Sequence, residues 1–137
     1  MRRVFWVLVL VGLVGLATAW PRLSVVETGM TPEYPDLKVH EYSAGVETVS
    51  RAAQKLLRTL PRWRLVGTAS GPKGAALDAA HEIPLIRLGE DVFVRISSSG
   101  SRTRVSVKSH SRLGFWDFGQ NARNIREFLT ALDAAVS

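Results

Sequence analysis

Asp91-Val92-Phe93-Val94-Arg95-Ile96-Ser97-Ser98-Ser99-Gly100-Ser101-Arg102-Thr103-Arg104-Val105-Ser106-Val107-Lys108 decides the fold. On either side of a Ser/Gly break, apolar and polar residues alternate with the period of two of a half-buried strand. A two-residue loop at Ser99-Gly100 sets Val94 opposite Val105 and Val92 opposite Val107 on one face. On the other face it sets Asp91 opposite Lys108 and Arg95 opposite Arg104. A one-residue slip would lose the apolar and the charge matching together, so an antiparallel hairpin in this register is expected.

Working outward, Trp63 to Ser70 and Ala75 to Leu88 read as two more strands around the turn Gly71-Pro72-Lys73-Gly74. Pro84 marks an edge or a bulge in the second. Upstream, Val46, Val49, Ala52, Ala53, Leu56, Leu57 and Leu60 keep the spacing of one helical face, and Pro61 ends that helix. Before it, Tyr34-Pro35-Asp36-Leu37 is a turn and Leu37 to Tyr42 alternates like a short edge strand. Downstream, Asp117 is placed to cap a last helix, with Gln120 at capping-box spacing. Phe118, Ala122, Ile125, Leu129, Leu132 and Val136 form its apolar stripe. The order β-α-β-β-β-β-α predicts an α+β fold: an antiparallel sheet of about four to five strands with both helices on one face.

Sixteen uncharged residues, Val4 to Ala19, follow Arg2-Arg3 and end in Ala17-Thr18-Ala19. A cationic start, an apolar stretch of thirteen residues (Val4 to Leu16) and an Ala-x-Ala site are the parts of a signal peptide. A short membrane anchor is the other reading, with Trp20 and Arg22 at the outer interface. Either way the rest is expected outside the cytoplasm, soluble after cleavage at Ala19 or anchored. Residues 1–19 are thus signal or anchor, 20–32 a tether without clear period, and 33–137 one domain. The chain of 137 residues has no cysteine, which excludes a disulfide scaffold, thiolate metal ligation and a cysteine nucleophile. Its net charge of +6 falls to +4 without Arg2 and Arg3, far from a nucleic-acid tail.

The blocks Tyr34-Pro35-Asp36-Leu37, Leu60-Pro61-Arg62-Trp63-Arg64-Leu65-Val66, Asp91-Val92, Lys108-Ser109-His110-Ser111-Arg112-Leu113-Gly114, Asp117-Phe118-Gly119-Gln120-Asn121-Ala122-Arg123 and Ile125-Arg126 stand in this order. In them the chain resembles, over roughly residues 29–132, the bacterial family called domain of unknown function 1499 (DUF1499). The resemblance implies a small exported or membrane-tethered protein and brings no activity, so no catalytic or ligand residue comes with it. Phe115-Trp116 departs from the family's pattern, in which smaller or more polar residues precede the aspartate.

Two constellations stand out. Arg102, Arg104, Ser106, Lys108, His110 and Arg112 share one face of a strand by the period of two, and Arg95 joins them through the hairpin, whereas Val105, Val107 and Leu113 point the other way. Opposed like charges are costly, so this face is either a solvated surface with carboxylates nearby or a place where an anion is neutralised. Asp91, Arg112, Asp117, Asn121, Arg123 and Arg126 gather at the strand-to-helix corner. They serve either as a scaffold of paired charges, with Asp91, Asp117 and Asn121 its structural members, or as a small pocket in which Arg123 and Arg126 reach one anion.

His40, His81 and His110 lack metal-ligand spacing, and no metal or cofactor is expected. Ser109, His110 and Asp117 hold the atoms of a triad, but neighbours on a strand face opposite sides and no nucleophile elbow is present. Trp20, Trp63 and Trp116 read as core or interface anchors. The expected function is therefore a non-enzymatic cell-envelope domain that binds an anionic membrane surface or envelope component, not nucleic acid, through Arg95, Arg102, Arg104 and Lys108, with Arg112, Arg123 and Arg126 as further anion ligands. The alternative is a carrier of a small apolar ligand or lipid between sheet and helices.

Overall fold

The structure, a computed structural model, describes residues 1–19, 21–83, 88–114 and 117–137. Pro84, Trp20, Trp116 and the Phe115-Trp116 departure lie outside the described residues. The elements are α1 (Arg2–Thr18), β1 (Val25–Glu27), β2 (His40–Tyr42), α2 (Val46–Thr59), β3 (Trp63–Gly71), β4 (Gly74–Glu82), β5 (Gly89–Ser99), β6 (Arg102–Ser111) and α3 (Gln120–Val136). The α+β class stands as expected. Antiparallel strands form a six-stranded sheet in the order β1-β6-β5-β4-β3, with β2 beside β1 on the same edge of β6.

The additional strand is β1, and it corrects the tether. Val26 is fully buried, and Thr28 continues the pairing by donating its N–H to the Val107 carbonyl at 3.0 Å while its Oγ1 accepts the Val107 N–H at 3.0 Å. Three residues are too few to display a period, so the sequence carried no strand signal here.

The β5–β6 hairpin forms in a register two residues away from the expected one. Its loop is Gly100-Ser101, so Val94 faces Val107, Arg95 faces Ser106, Asp91 faces His110 and Ser97 faces Arg104. Gly100 has φ +61°, the conformation that the first position of a II′ hairpin turn requires and glycine supplies. A slip of two preserves every residue's face, and the alternation therefore survives the correction. Arg95 and Arg104 are not opposed.

Both helices pack on one face. From α2 come Val49, Ala53 and Leu57; from α3, Ala122, Ile125, Phe128, Leu129 and Leu132; from the sheet, Val26, Leu77, Val92, Val94, Ile96, Val105 and Val107. Each fully buried large side chain contributes roughly 1.5–3 kcal/mol, and Phe128, against Trp63 at 6.0 Å between ring centroids, joins α3 to β3. Two expected core positions are corrected. Leu113 is 64% exposed because β6 ends at Ser111 and the parity no longer applies, and Phe118 is 50% exposed because it precedes α3 with φ +51°.

Asp117 closes α3 from further upstream than expected. The helix begins at Gln120, and the two Asp117 oxygens accept the N–H groups of Gly119 (2.8 Å) and Asn121 (2.9 Å). These are donors that a helix's first turn leaves unsatisfied. No capping box forms, since the Gln120 side chain bonds Asn124 and Arg123 instead.

α1 spans 17 residues, and its apolar side chains Val4, Phe5, Trp6, Val7, Leu8, Leu10 and Val11 are exposed all round. Among the described residues no helix is long and apolar enough to cross a membrane.

Candidate functional site

The outward face of the sheet is set by strand parity. Across β1, β6, β5 and β4 one row reads Glu27, Lys108, Phe93, Asp78, and the next reads Ser106, Arg95, Ala76. The following row reads Glu41, Arg104, Ser97, Gly74. Small residues beside long ones leave a depression of about 420 Å³ lined by Glu27, Ala76, Asp78, Phe93, Arg95, Ser106 and Lys108. Phe93 is 45% exposed on its wall.

The seven cations singled out in the sequence fall into two groups. Arg112 donates from Nε (3.1 Å) and Nη2 (2.8 Å) to Asp91 Oδ1 and approaches Glu82 at 3.8 Å, and its bonds to Asp91 are the main cause that raises its pKa. Arg102 reaches the Glu41 carboxylate at 3.4 Å and its carbonyl at 3.1 Å. Arg126 donates to both oxygens of Asp36, at 2.8 and 3.1 Å, and lies over the Tyr34 ring at 5.4 Å. This holds the Asp36 carboxyl below the usual carboxylate range. Arg123 donates to the Phe118 carbonyl and to Gln120, so Arg123 and Arg126 do not converge on one point. Arg95, Arg104 and Lys108 have no ion-pair or hydrogen-bond partner for their side chains among the described residues.

The corner group likewise separates. Asp91 sits on the outer face with Arg112, while Asp117 and Asn121 are buried on the inner face. Asn121 accepts from Ser109 Oγ (2.7 Å) and donates to Ser111 Oγ (2.9 Å) and to the Ser24 carbonyl (3.1 Å). One side chain thereby joins the N-terminal segment, the end of β6 and α3. Ser109 is thus buried against Asn121, whereas His110 is on the outward face.

Two polar clusters escaped the sequence reading because their members lie far apart in the chain. Glu90 accepts from Asn124 at 3.1 Å and bonds His81 at 3.1 Å, and the His81 ring meets Trp63 edge-on at 5.2 Å. Asp133 accepts from Tyr42 Oη at 2.6 Å and bonds His40 Nδ1 at 2.9 Å. Burial pushes the Tyr42 hydroxyl up, aided by that bond. Burial alone would raise Asp133, but the Tyr42 and His40 bonds outweigh it and the carboxyl is lowered. No group of three or more potential metal ligands occurs among the described residues.

Residues 16–132 match the family described as protein of unknown function (DUF1499). The chain belongs to the DUF1499 family. No curated protein and no solved structure matches it. In this DUF1499 domain the motif residues Tyr34, Asp36, Asp91, Arg112, Asp117, Asn121 and Arg126 make internal contacts, whereas Arg95 and Arg104, two of the three outward-face cations with no partner among the described residues, lie outside the blocks that carried the resemblance.

Proposed function

We propose that this DUF1499 domain is a non-enzymatic module of the cell envelope that binds an anionic surface or partner through the outward face of its sheet. One observation carries the reading. Arg95, Arg104 and Lys108 share that face and form no ion pair among the described residues, while Arg102, Arg112 and Arg126 are engaged by Glu41, Asp91 and Asp36. Like charges held together on one face repel, and an anion that neutralises them regains that free energy on binding.

The N-terminal helix supports delivery outside the cytoplasm. A helix exposed and apolar on every side needs a cover from elsewhere, and its 17 residues amount to about 25 Å of rise against a hydrocarbon core of about 30 Å. That favours the cleaved signal over the anchor, and the helix ends at Thr18, within the Ala-x-Ala site. An intact mass beginning at Trp20 is expected for the exported protein; retention of Met1 in the membrane fraction would establish the anchor instead.

The binding test is co-sedimentation of the chain from Trp20 onward with vesicles of anionic and neutral lipid. Binding to anionic vesicles at low ionic strength and release by salt are expected, because each cation near the surface adds on the order of 1 kcal/mol, screened by salt. Arg95→Gln with Lys108→Gln should weaken binding strongly. Absence of binding at low salt would remove the reading. The carrier alternative has less behind it, since Leu57, Leu77, Ile96, Ile125, Phe128 and Leu132 fill the layer between sheet and helices and are fully buried. Mass spectrometry of an extract of the native protein is its test.

A further inference from the structure

Ser106 stands at the centre of the unpaired cations. Arg95 is its direct cross-strand partner, and Arg104 and Lys108 flank it two residues away on the same face of β6. Neighbours two apart on a strand are separated by about 7 Å and diagonal ones by about 7–8 Å, within joint reach of Arg and Lys side chains. Ser106 also lines the outward depression, together with Arg95 and Lys108. The same depression carries two carboxylates, Glu27 beside Lys108 and Asp78 beyond Phe93, and neither makes an ion pair among the described residues. Gly67 leaves room for the Asp78 carboxylate, whose Oδ2 would lie 3.6 Å from a Cβ at that position.

We propose that Ser106, Arg95, Arg104 and Lys108 seat the phosphate of a phosphodiester, and that Glu27 and Asp78 select a diester with donor groups beside it, the headgroup chemistry of a glycerol-type phospholipid. This rests on the anionic-surface reading and gives it a ligand. Guanidinium and ammonium groups bind phosphate oxygens through charge-assisted hydrogen bonds, and the Ser106 hydroxyl adds a donor at the floor. With Glu41 beside Arg104 engaged by Arg102, three cations against two carboxylates leave the seat net positive and suited to an anion. A dianionic monoester would bring its second charge toward Glu27 or Asp78 and be repelled. The headgroup hydroxyls give those carboxylates the donors they lack, and Phe93 offers an apolar wall to the glycerol carbons.

The test uses the full chain in non-ionic detergent, titrated with glycerophosphoglycerol as the diester probe and glycerol 3-phosphate as the monoester probe, followed by backbone amide shifts. Saturable shifts at Phe93–Arg95 and Val105–Lys108 are expected with the diester, and binding of the monoester weaker by on the order of fivefold or more. Glu27→Gln with Asp78→Asn should abolish that preference, and Ser106→Ala should weaken the diester. Monoester binding as tight as diester binding in the native protein, or shifts spread over all cationic positions, would overturn the seat while leaving a diffuse basic surface intact. Saturable diester binding at Ser106 without co-sedimentation on phosphatidylglycerol vesicles would overturn the lipid assignment and the surface reading, but keep the phosphodiester site.

Discussion

The two faces of the sheet differ in how completely their polar side chains are paired. On the inner face, where β6 passes under α3, Asn121, Asn124, Asp117, Ser109 and Ser111 are buried, and every one is engaged by a named partner. On the outer face Arg95, Arg104 and Lys108 are exposed and have none among the described residues. Burial forces pairing, because an unpartnered polar group away from water costs about 1–3 kcal/mol. Exposure permits charges to remain free, so unpaired charges gathered on one face are where a partner can act. Asp117, Asn121, Ser109 and Ser111 of the first set stand in the blocks that carry the family resemblance, whereas Arg95 and Arg104 do not.

That contrast is broken most directly at Asn121. Replacing it by Ala or Leu strands the Ser109 and Ser111 hydroxyls and leaves the Ser24 carbonyl with the Ser111 N–H alone, so a loss of about 3 kcal/mol in chemical denaturation is expected. A loss under about 1 kcal/mol would mean that the inner network relaxes easily and that the two faces differ less than their geometry implies. Next in size is Asp117→Ala, which removes the acceptor of two N–H groups at the start of α3 and should cost about 1–2 kcal/mol. Glu33→Ala, an exposed carboxylate without such bonds, is the reference for the change in charge. Equal denaturation midpoints for these two variants would overturn the capping role.

How far the sequence foretold this contrast depends on distance along the chain. Alternation in residues 91–108 gave every face of β5 and β6 correctly even though the register was two residues off, because parity is insensitive to an even slip. The choice between Ser99-Gly100 and Gly100-Ser101 turns on which loop position takes positive φ, and side-chain patterns do not encode that. The helices were legible from their stripes, although Phe128, the largest fully buried side chain, fell outside the stripe assigned to α3. β1 was not legible, since its three residues are held by β6, more than eighty positions away. Arg95, Arg104 and Lys108 were nameable in advance as a basic face. That their neighbours Arg102, Arg112 and Arg126 are engaged depends on Glu41, Asp91 and Asp36, whose approach only the folded chain provides.

A smaller effect belongs to the Asp133, Tyr42 and His40 cluster, which ties β2 to the end of α3 and lies between buried and exposed. The folded-state pKa of Asp133 is lowered, so its contribution is present above the unfolded value of about 3.9 and is lost as pH falls through the folded value. The denaturation midpoint should therefore drop in acid. Asp133→Asn should remove part of that drop, by no more than about 1 kcal/mol since the carboxylate is half exposed. An identical acid profile for Asp133→Asn and the native protein would show that the cluster contributes nothing.

The smallest expected change is the sharpest test of the outer face. If Arg104 is a free charge held among Arg95 and Lys108, Arg104→Gln removes repulsion and breaks no bond. Stability should then stay within about 0.5 kcal/mol of the native protein. At low ionic strength the variant should be slightly the more stable, by a few tenths of a kcal/mol, because its diagonal neighbour Arg95, about 7–8 Å away, lies within the screening length of dilute salt. The difference should vanish in about 1 M salt, where that length shrinks to about 3 Å. A loss above about 1 kcal/mol would mean that Arg104 supports the fold through Glu41, its neighbour across β2, and the outer face would then resemble the inner one. A stability gain that salt abolishes, together with weakened binding of anionic vesicles, would instead identify the residue as one retained at a cost to the fold because something outside the protein neutralises it.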